Sequence, residues 1–180
     1  MSPKASPDLA LRRLSVVLAA REIAESDGWP AVTMRRLAGA LGATQPVLYT
    51  VFAGRQDVVD AVALSGFEEL AVALEAVEVV PMERMQAYLR FATAHPRLYE
   101  AMFSMPSGLP FASDGTPGEL RRAFAALREA FPDKDGTRAE VAWSALHGLA
   151  TLQHGGRLRA DLAQARLELT HAMLTRAEGL

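Results

Sequence analysis

Apolar positions recur at helical spacing along most of the chain, and no run alternates apolar and polar residues long enough to argue for a strand. The pattern predicts an all-α fold of about nine helices. The first runs from about Leu9 to Asp27 and ends at Gly28, where Trp29-Pro30 begins a link. Two short helices follow. In the first, Met34, Leu37, Ala38 and Leu41 stand at i, i+3, i+4 and i+7 behind Thr33, a capping residue type. Gly42 comes just past Leu41, where a helix end favours a residue tolerant of the left-handed conformation. Thr44 is the next cap candidate, and Pro46 falls in the first turn of the second short helix, where its missing N–H costs little. Leu48, Val51 and Phe52 then share an inward stripe. A fourth helix is predicted over about Arg55–Val79, and a fifth from Pro81 to near His95-Pro96, since the residue before proline avoids helix. A short helix holds Leu98–Phe103. Ser104–Gly118 carries Pro106, Gly108, Pro110, Gly115 and Pro117 and reads as a loop. Three more helices are expected at about Glu119–Phe131, Gly136–Gly155 and Asp161–Glu178. Residues 1–7, with Ser2, Pro3, Ser6 and Pro7, read as a loose arm.

The two short helices carry the chemistry. Gln45, Pro46, Tyr49 and Thr50 point away from the apolar stripe, and no acidic side chain occurs from Thr33 to Arg55. An apolar back, a polar tip and no carboxylate suit a helix-turn-helix entering a DNA major groove. A glutamine can pair with adenine N6 and N7; threonine and tyrosine hydroxyls can reach phosphates; a small apolar side chain can touch a thymine methyl. Arg35 and Arg36 lie outside the buried stripe, and Arg55 opens the next helix, placed for the phosphate backbone. The candidate DNA-contacting residues are therefore Thr33, Arg35, Arg36, Thr44, Gln45, Pro46, Val47, Tyr49, Thr50 and Arg55. The competing reading is an ordinary three-helix cluster with a polar surface helix.

Charge supports the first reading without deciding it. The chain has a formal charge of −2. Residues 1–56 hold Lys4, Arg12, Arg13, Arg21, Arg35, Arg36 and Arg55 against Asp8, Glu22, Glu25 and Asp27, a balance of +3, which leaves −5 for the rest. Positive charge thus gathers where phosphate neutralisation would need it. So small an excess suggests that tight binding takes two copies. With 180 residues, half of them hydrophobic, one compact unit or two closely packed subdomains are expected. Cysteine is absent, which excludes disulfides, thiolate metal sites and cysteine catalysis. The start, MSPKASPDLALRRL, lacks the apolar core of a signal peptide, and no apolar run could span a bilayer. The expectation is a cytoplasmic protein with no membrane partner.

In the second half, Ala142, Ala145, Leu149 and Leu152 recur at i, i+3, i+7 and i+10, and Leu162, Ala165, Leu169 and Ala172 repeat that spacing. Two such stripes suit packing against a two-fold copy, or burial within one subunit. Met85, Tyr88, Phe91, Tyr99, Met102 and Phe103 gather large side chains, several of them flexible. With Trp143 and His147, they are candidates to line a mainly apolar pocket, or simply to form core. His147 and His154 are a weak metal pair without a third ligand, so no metal and no cofactor are expected. No phosphate-cradling glycine loop or marked Ser-His-Asp arrangement points to an enzyme.

At this point the sequence resembles the tetracycline-repressor-like (TetR) family of bacterial transcription regulators. The resemblance rests on Asp27-Gly28-Trp29, Thr33, Leu37-Ala38, Leu41-Gly42-Ala43-Thr44, Leu48-Tyr49, Phe52 and Arg55 at ungapped spacing over about residues 10–62. Arg55 stands where the family usually has lysine, and Val47 replaces a common threonine. Trp143…His147-Gly148, with His95-Pro96-Arg97-Leu98-Tyr99, is similar to one C-terminal type of the family. The resemblance implies a helix-turn-helix DNA-binding domain over residues 1–56. It implies a ligand-binding and dimerisation domain over 57–180. The expected partners are a double-stranded DNA operator, a small-molecule effector and a second copy of the chain. The alternative is an all-helical small-molecule-binding protein or enzyme without operator binding.

Overall fold

The computed structural model describes residues 7–176. Most of the expected arm at residues 1–7, and the expected end of the last helix at Glu178, lie outside the described residues. Nine α-helices occur among the described residues, and no strand. They are α1 (Pro7–Asp27), α2 (Met34–Ala40), α3 (Gln45–Leu48), α4 (Arg55–Glu75), α5 (Pro81–Ala94), α6 (Pro96–Phe103), α7 (Gly118–Ala130), α8 (Thr137–His154) and α9 (Ala163–Thr175). Short 3-10 turns precede α2 and α9. Among the described residues no helix is long and apolar enough to cross a membrane.

The chain groups into two compact units. One holds the residues up to Gly66 together with Arg97–Pro110; the other holds Phe67–Pro96 together with the residues from Phe111 onward. The sequence put a boundary at 56/57, at the start of α4. That helix runs unbroken over Arg55–Glu75, and its residues up to Gly66 group with the first unit and those from Phe67 with the second.

In the first unit, Val16, Ala20 and Ala24 of α1 are buried, as are Val32, Leu37, Leu48, Phe52, Val58 and Val62, and they form its apolar core. Gly28 ends α1 at φ +78°, a conformation that glycine adopts without strain, and its N–H donates to the Ala24 carbonyl at 2.9 Å. Gly66 lets α6 approach α4 closely. A Cβ there would lie 2.6 Å from the Met102 sulfur and 3.0 Å from a Leu98 methyl.

In the second unit, Ala139, Ala142, Leu146 and Ala150 are the buried stripe of α8, which packs chiefly on α5. Small residues at that stripe permit close approach of the two axes. This corrects one expectation. Ala142 was placed on an open seam, but it is fully buried in its own unit and offers a partner no surface. Of the other expected seam residues, Leu152, Leu162, Ala165 and Leu169 are exposed, and Ala145, Leu149 and Ala172 are half-buried. Val141 and Met173 add exposed apolar side chains that the sequence reading did not select.

Candidate nucleic-acid interface

Thr33 caps α2: its Oγ1 accepts from the Arg36 N–H at 3.2 Å. The chain leaves α2 through Gly42 at φ +60°, and the Ala43 N–H returns to the Ala38 carbonyl at 2.9 Å. This tight turn sets the direction of α3. Thr44 precedes α3 without a side-chain cap bond; the Val47 N–H is met at 3.0 Å by the Thr44 backbone carbonyl instead. The helix is only one turn long, so Tyr49 stands at its C-terminal end and Thr50 and Val51 in the turn beyond.

One turn cannot hold itself in water, so the support must come from beneath. Leu48 and Phe52 are buried below it. Arg13 of α1 donates from Nη1 to the Val51 carbonyl at 2.7 Å, and its guanidinium carbon lies 4.1 Å from the Phe52 ring centroid. Arg13 also lies 3.8 Å from Asp57, whose Oδ2 accepts from the Ala53 N–H at the start of α4. Sequence reasoning counted Arg12 and Arg13 only as charge. The Arg-Arg pair one helix away from the motif gave no sign that it braces the motif from behind.

On this support, Thr44, Gln45, Pro46 and Tyr49 are exposed, and Val47 is half-buried at their edge. Tyr49 is 52% exposed. Arg35 is exposed and has no acidic partner among the described residues. These exposed side chains all belong to the stretch from Thr33 to Arg55, which holds no acidic residue.

The other basic candidates are tied to the chain. Arg36 is ion-paired with Asp27, which links α2 to the end of α1; that hydrogen bond, with a second from Ser26, holds the Asp27 carboxyl below its ordinary range. Thr50, expected to reach a phosphate, has its hydroxyl engaged within the chain. Its hydroxyl donates to the Val47 carbonyl at 2.7 Å and accepts from Arg12 Nη1 at 3.4 Å. Arg55 is engaged within the chain likewise. The sequence sent it toward phosphate, but Nε donates to the Val32 carbonyl at 2.8 Å and Nη2 to the Trp29 carbonyl at 2.9 Å. The Trp29 carbonyl also accepts from the Val32 N–H at 3.1 Å, and a planar guanidinium reaches it and the Val32 carbonyl at once.

Trp29 is shared by two links. Its indole Nε1 donates to the Arg97 carbonyl at 2.9 Å, which attaches the start of α6 to the first unit. The segment after α6 is attached too. Gln56 Nε2 donates to the Pro106 carbonyl at 2.6 Å, and the Gly108 N–H donates to Asp60 at 3.3 Å.

The candidate pocket residues fall into both units. Tyr99, Met102 and Phe103 belong to the first, where Tyr99 and Phe103 pair at 4.7 Å between ring centroids. Met85, Tyr88 and Phe91 are buried on α5 in the second, with Trp143 and His147 half-buried on α8. Trp143 Nε1 donates to the Tyr88 hydroxyl at 3.2 Å and meets Phe124 edge-on. Burial pushes the His147 imidazole below its ordinary pKa. A separate open groove of about 590 Å³ lies on another side of α5, lined by Gln86, Leu89, Arg90, Thr93, Gln153, Gln164 and Leu167 among others. None of the sequence-selected residues lines it.

Comparison with known proteins agrees with this geometry. Residues 16–62 match the family described as bacterial regulatory proteins, tetR family, and residues 82–177 match the tetracyclin repressor-like C-terminal domain. An uncharacterised helix-turn-helix-type transcriptional regulator of Mycobacterium tuberculosis is 30% identical over 158 residues, covering 81% of this chain and 72% of that protein. Among solved structures, a protein of unknown function from Rhodococcus sp. superposes with a TM-score of 0.73 at 25% identity, covering 98% of each chain. A TetR transcriptional regulator from the same genus superposes with a TM-score of 0.69 at 21% identity, covering 97% of this chain and all of that one. The braced helix-turn-helix, the all-helical second unit and these matches together place the chain in the TetR family of bacterial transcriptional regulators.

Proposed function

We propose that the protein is a cytoplasmic, homodimeric, ligand-responsive repressor that binds a near-palindromic operator and leaves it when a small, mainly hydrophobic effector binds. The observation that carries the DNA reading is the exposed set of Gln45, Pro46 and Tyr49 on a one-turn helix braced from α1, with Arg35 exposed on the neighbouring α2. Gln45 reads a base edge, Tyr49 and Arg35 fix the backbone register, and Arg55 is a clamp that positions the motif. The dimer forms through α8 and α9, whose Val141, Leu152, Leu162, Leu169 and Met173 are exposed apolar side chains. A two-fold axis then places two α3 helices on two half-sites.

The effector is held along α5 and α8 of the second unit, where Met85, Tyr88, Phe91, Trp143 and His147 gather apolar bodies with a few polar tips. Its signal reaches the reading helix through α4, which begins at the Arg55 clamp. Operator and effector bind with reciprocal coupling.

A gel shift with the DNA upstream of the protein's own gene tests this reading. A shifted band whose affinity falls steeply with salt is expected. No preference for that DNA over random duplex at any salt would leave an all-helical ligand-binding protein without an operator.

A further inference from the structure

The second unit buries a cation that its own atoms only partly satisfy. Arg84, in the first turns of α5, is 2% exposed. Its Nη2 lies 3.4 Å from the Glu129 carboxylate, long for a charge-assisted bond. Its Nε and Nη1 are buried, and no protein atom among the described residues accepts from them. Every guanidinium nitrogen carries hydrogen, and burying such donors unmatched is unfavourable. The site does not look built for stability, because an apolar side chain of similar volume would avoid the cost.

The position of Arg84 says what could match it. Arg84, Tyr88 and Phe91 stand at i, i+4 and i+7 and so share one face of α5. The three are buried, and the Tyr88 hydroxyl is oriented by the Trp143 indole. That face therefore buries a cation at one end and aromatic side chains along the next two turns. Nearby carboxylates lie on the wet side: Glu129 is 59% exposed, and Glu68 and Glu75 are held by Arg122. Water screens these acids, whereas Nε and Nη1 lie out of its reach.

We propose that the effector is an amphipathic monocarboxylate, its carboxylate taken by Arg84 and its apolar body lying along Tyr88 and Phe91. This rests on the reading of α5 as an effector-binding helix, and it specifies the mainly hydrophobic effector as an acid. A single guanidinium already shared with Glu129 matches one negative charge better than the two of a phosphate monoester. A planar carboxylate also fits the donor fork.

Calorimetric titration of the full-length protein with alkanoates from hexanoate to dodecanoate, and with the matching neutral amides, tests the proposal. The acids should bind at least about tenfold more tightly than the amides. Arg84→Met should abolish that preference while leaving amide affinity within about threefold, and Glu129→Gln should keep it. The ligand-free Arg84→Met protein should melt no lower than the wild type, because a costly buried charge has gone. Equal binding of acids and amides would overturn the carboxylate while leaving the effector site. No binding of either series would remove the effector reading of α5 with it. Arg84→Met melting well below the wild type, with acid preference intact, would make Arg84 a structural partner of Glu129.

Discussion

Arg55 and Arg35 offer a test in which two arginines of one motif should fail in opposite ways. Arg55 makes two charge-assisted hydrogen bonds, to the Val32 and Trp29 carbonyls, from a partly buried position. Bonds of this type contribute about 1.5–3 kcal/mol each, and partial exposure favours the lower end. Arg55→Ala removes both bonds, although the Trp29 carbonyl keeps the Val32 N–H, so the loss should be about 3 kcal/mol, or roughly 6–12 °C in melting temperature for a chain of this size. Operator affinity should fall because less of the protein holds the reading conformation. The slope of log affinity against log salt should stay unchanged, because no phosphate contact has been lost. Arg35 is exposed and paired with no acid among the described residues, so Arg35→Ala should leave the melting temperature within about 1 °C. It should instead lower the salt slope by about one per subunit. Fluorescence anisotropy over a salt series, beside a thermal melt, reads all four quantities. A flattened salt slope for Arg55→Ala with an unchanged melt would refute the clamp and return Arg55 to the phosphate backbone.

Three further outcomes follow from the same geometry. Tyr49→Phe should keep the melting temperature and lower operator affinity, since Tyr49 is exposed; a destabilised variant would make Tyr49 a core residue. Leu169→Glu, at a side chain 63% exposed, should convert the dimer to monomer in light scattering, since it sets a charge in the proposed seam; an unchanged dimer mass would move the interface elsewhere. The His147 pKa is depressed by burial, so the unfolded chain takes up its proton first as the pH falls. That contribution to stability is complete above the unfolded value of about 6.5 and is lost as the pH drops through it toward the folded value. Wild-type melting temperature should therefore fall between about pH 7.5 and 5.5 more than that of His147→Gln, and parallel curves would contradict the assignment.

What the sequence disclosed, and what it hid, divides along physical lines. Periodicity and punctuation are local, so the helices, the Gly28 and Gly42 stops and the inward set of Leu37, Leu48 and Phe52 were all legible. So was the exposed tip at Gln45 and Tyr49, because spacing alone fixes which side of a short helix faces out. Partnership is not local. Arg55 and Arg36 read as free cations because nothing in their neighbourhood reveals Trp29, Val32 or Asp27 as acceptors. Ala142 and Val141 are adjacent apolar residues on one helix, and only the packing of α8 on α5 decides which is buried. Arg84 stood inside a stretch read for its methionines and aromatics. An arginine there looks like a surface residue until its burial is seen.

The central claim is that two copies of α3 read a symmetric DNA site, and selection of binding sites from random duplex DNA tests it most directly. Wild-type protein should enrich a near-palindrome whose half-site centres lie about one helical turn, or a whole multiple of it, apart. Gln45→Ala should lose discrimination at one symmetry-related base pair per half-site, at a cost of about 1–3 kcal/mol, while binding elsewhere in the site is unchanged. Enrichment of an asymmetric sequence, or a palindrome whose preferences survive Gln45→Ala at every position, would contradict it.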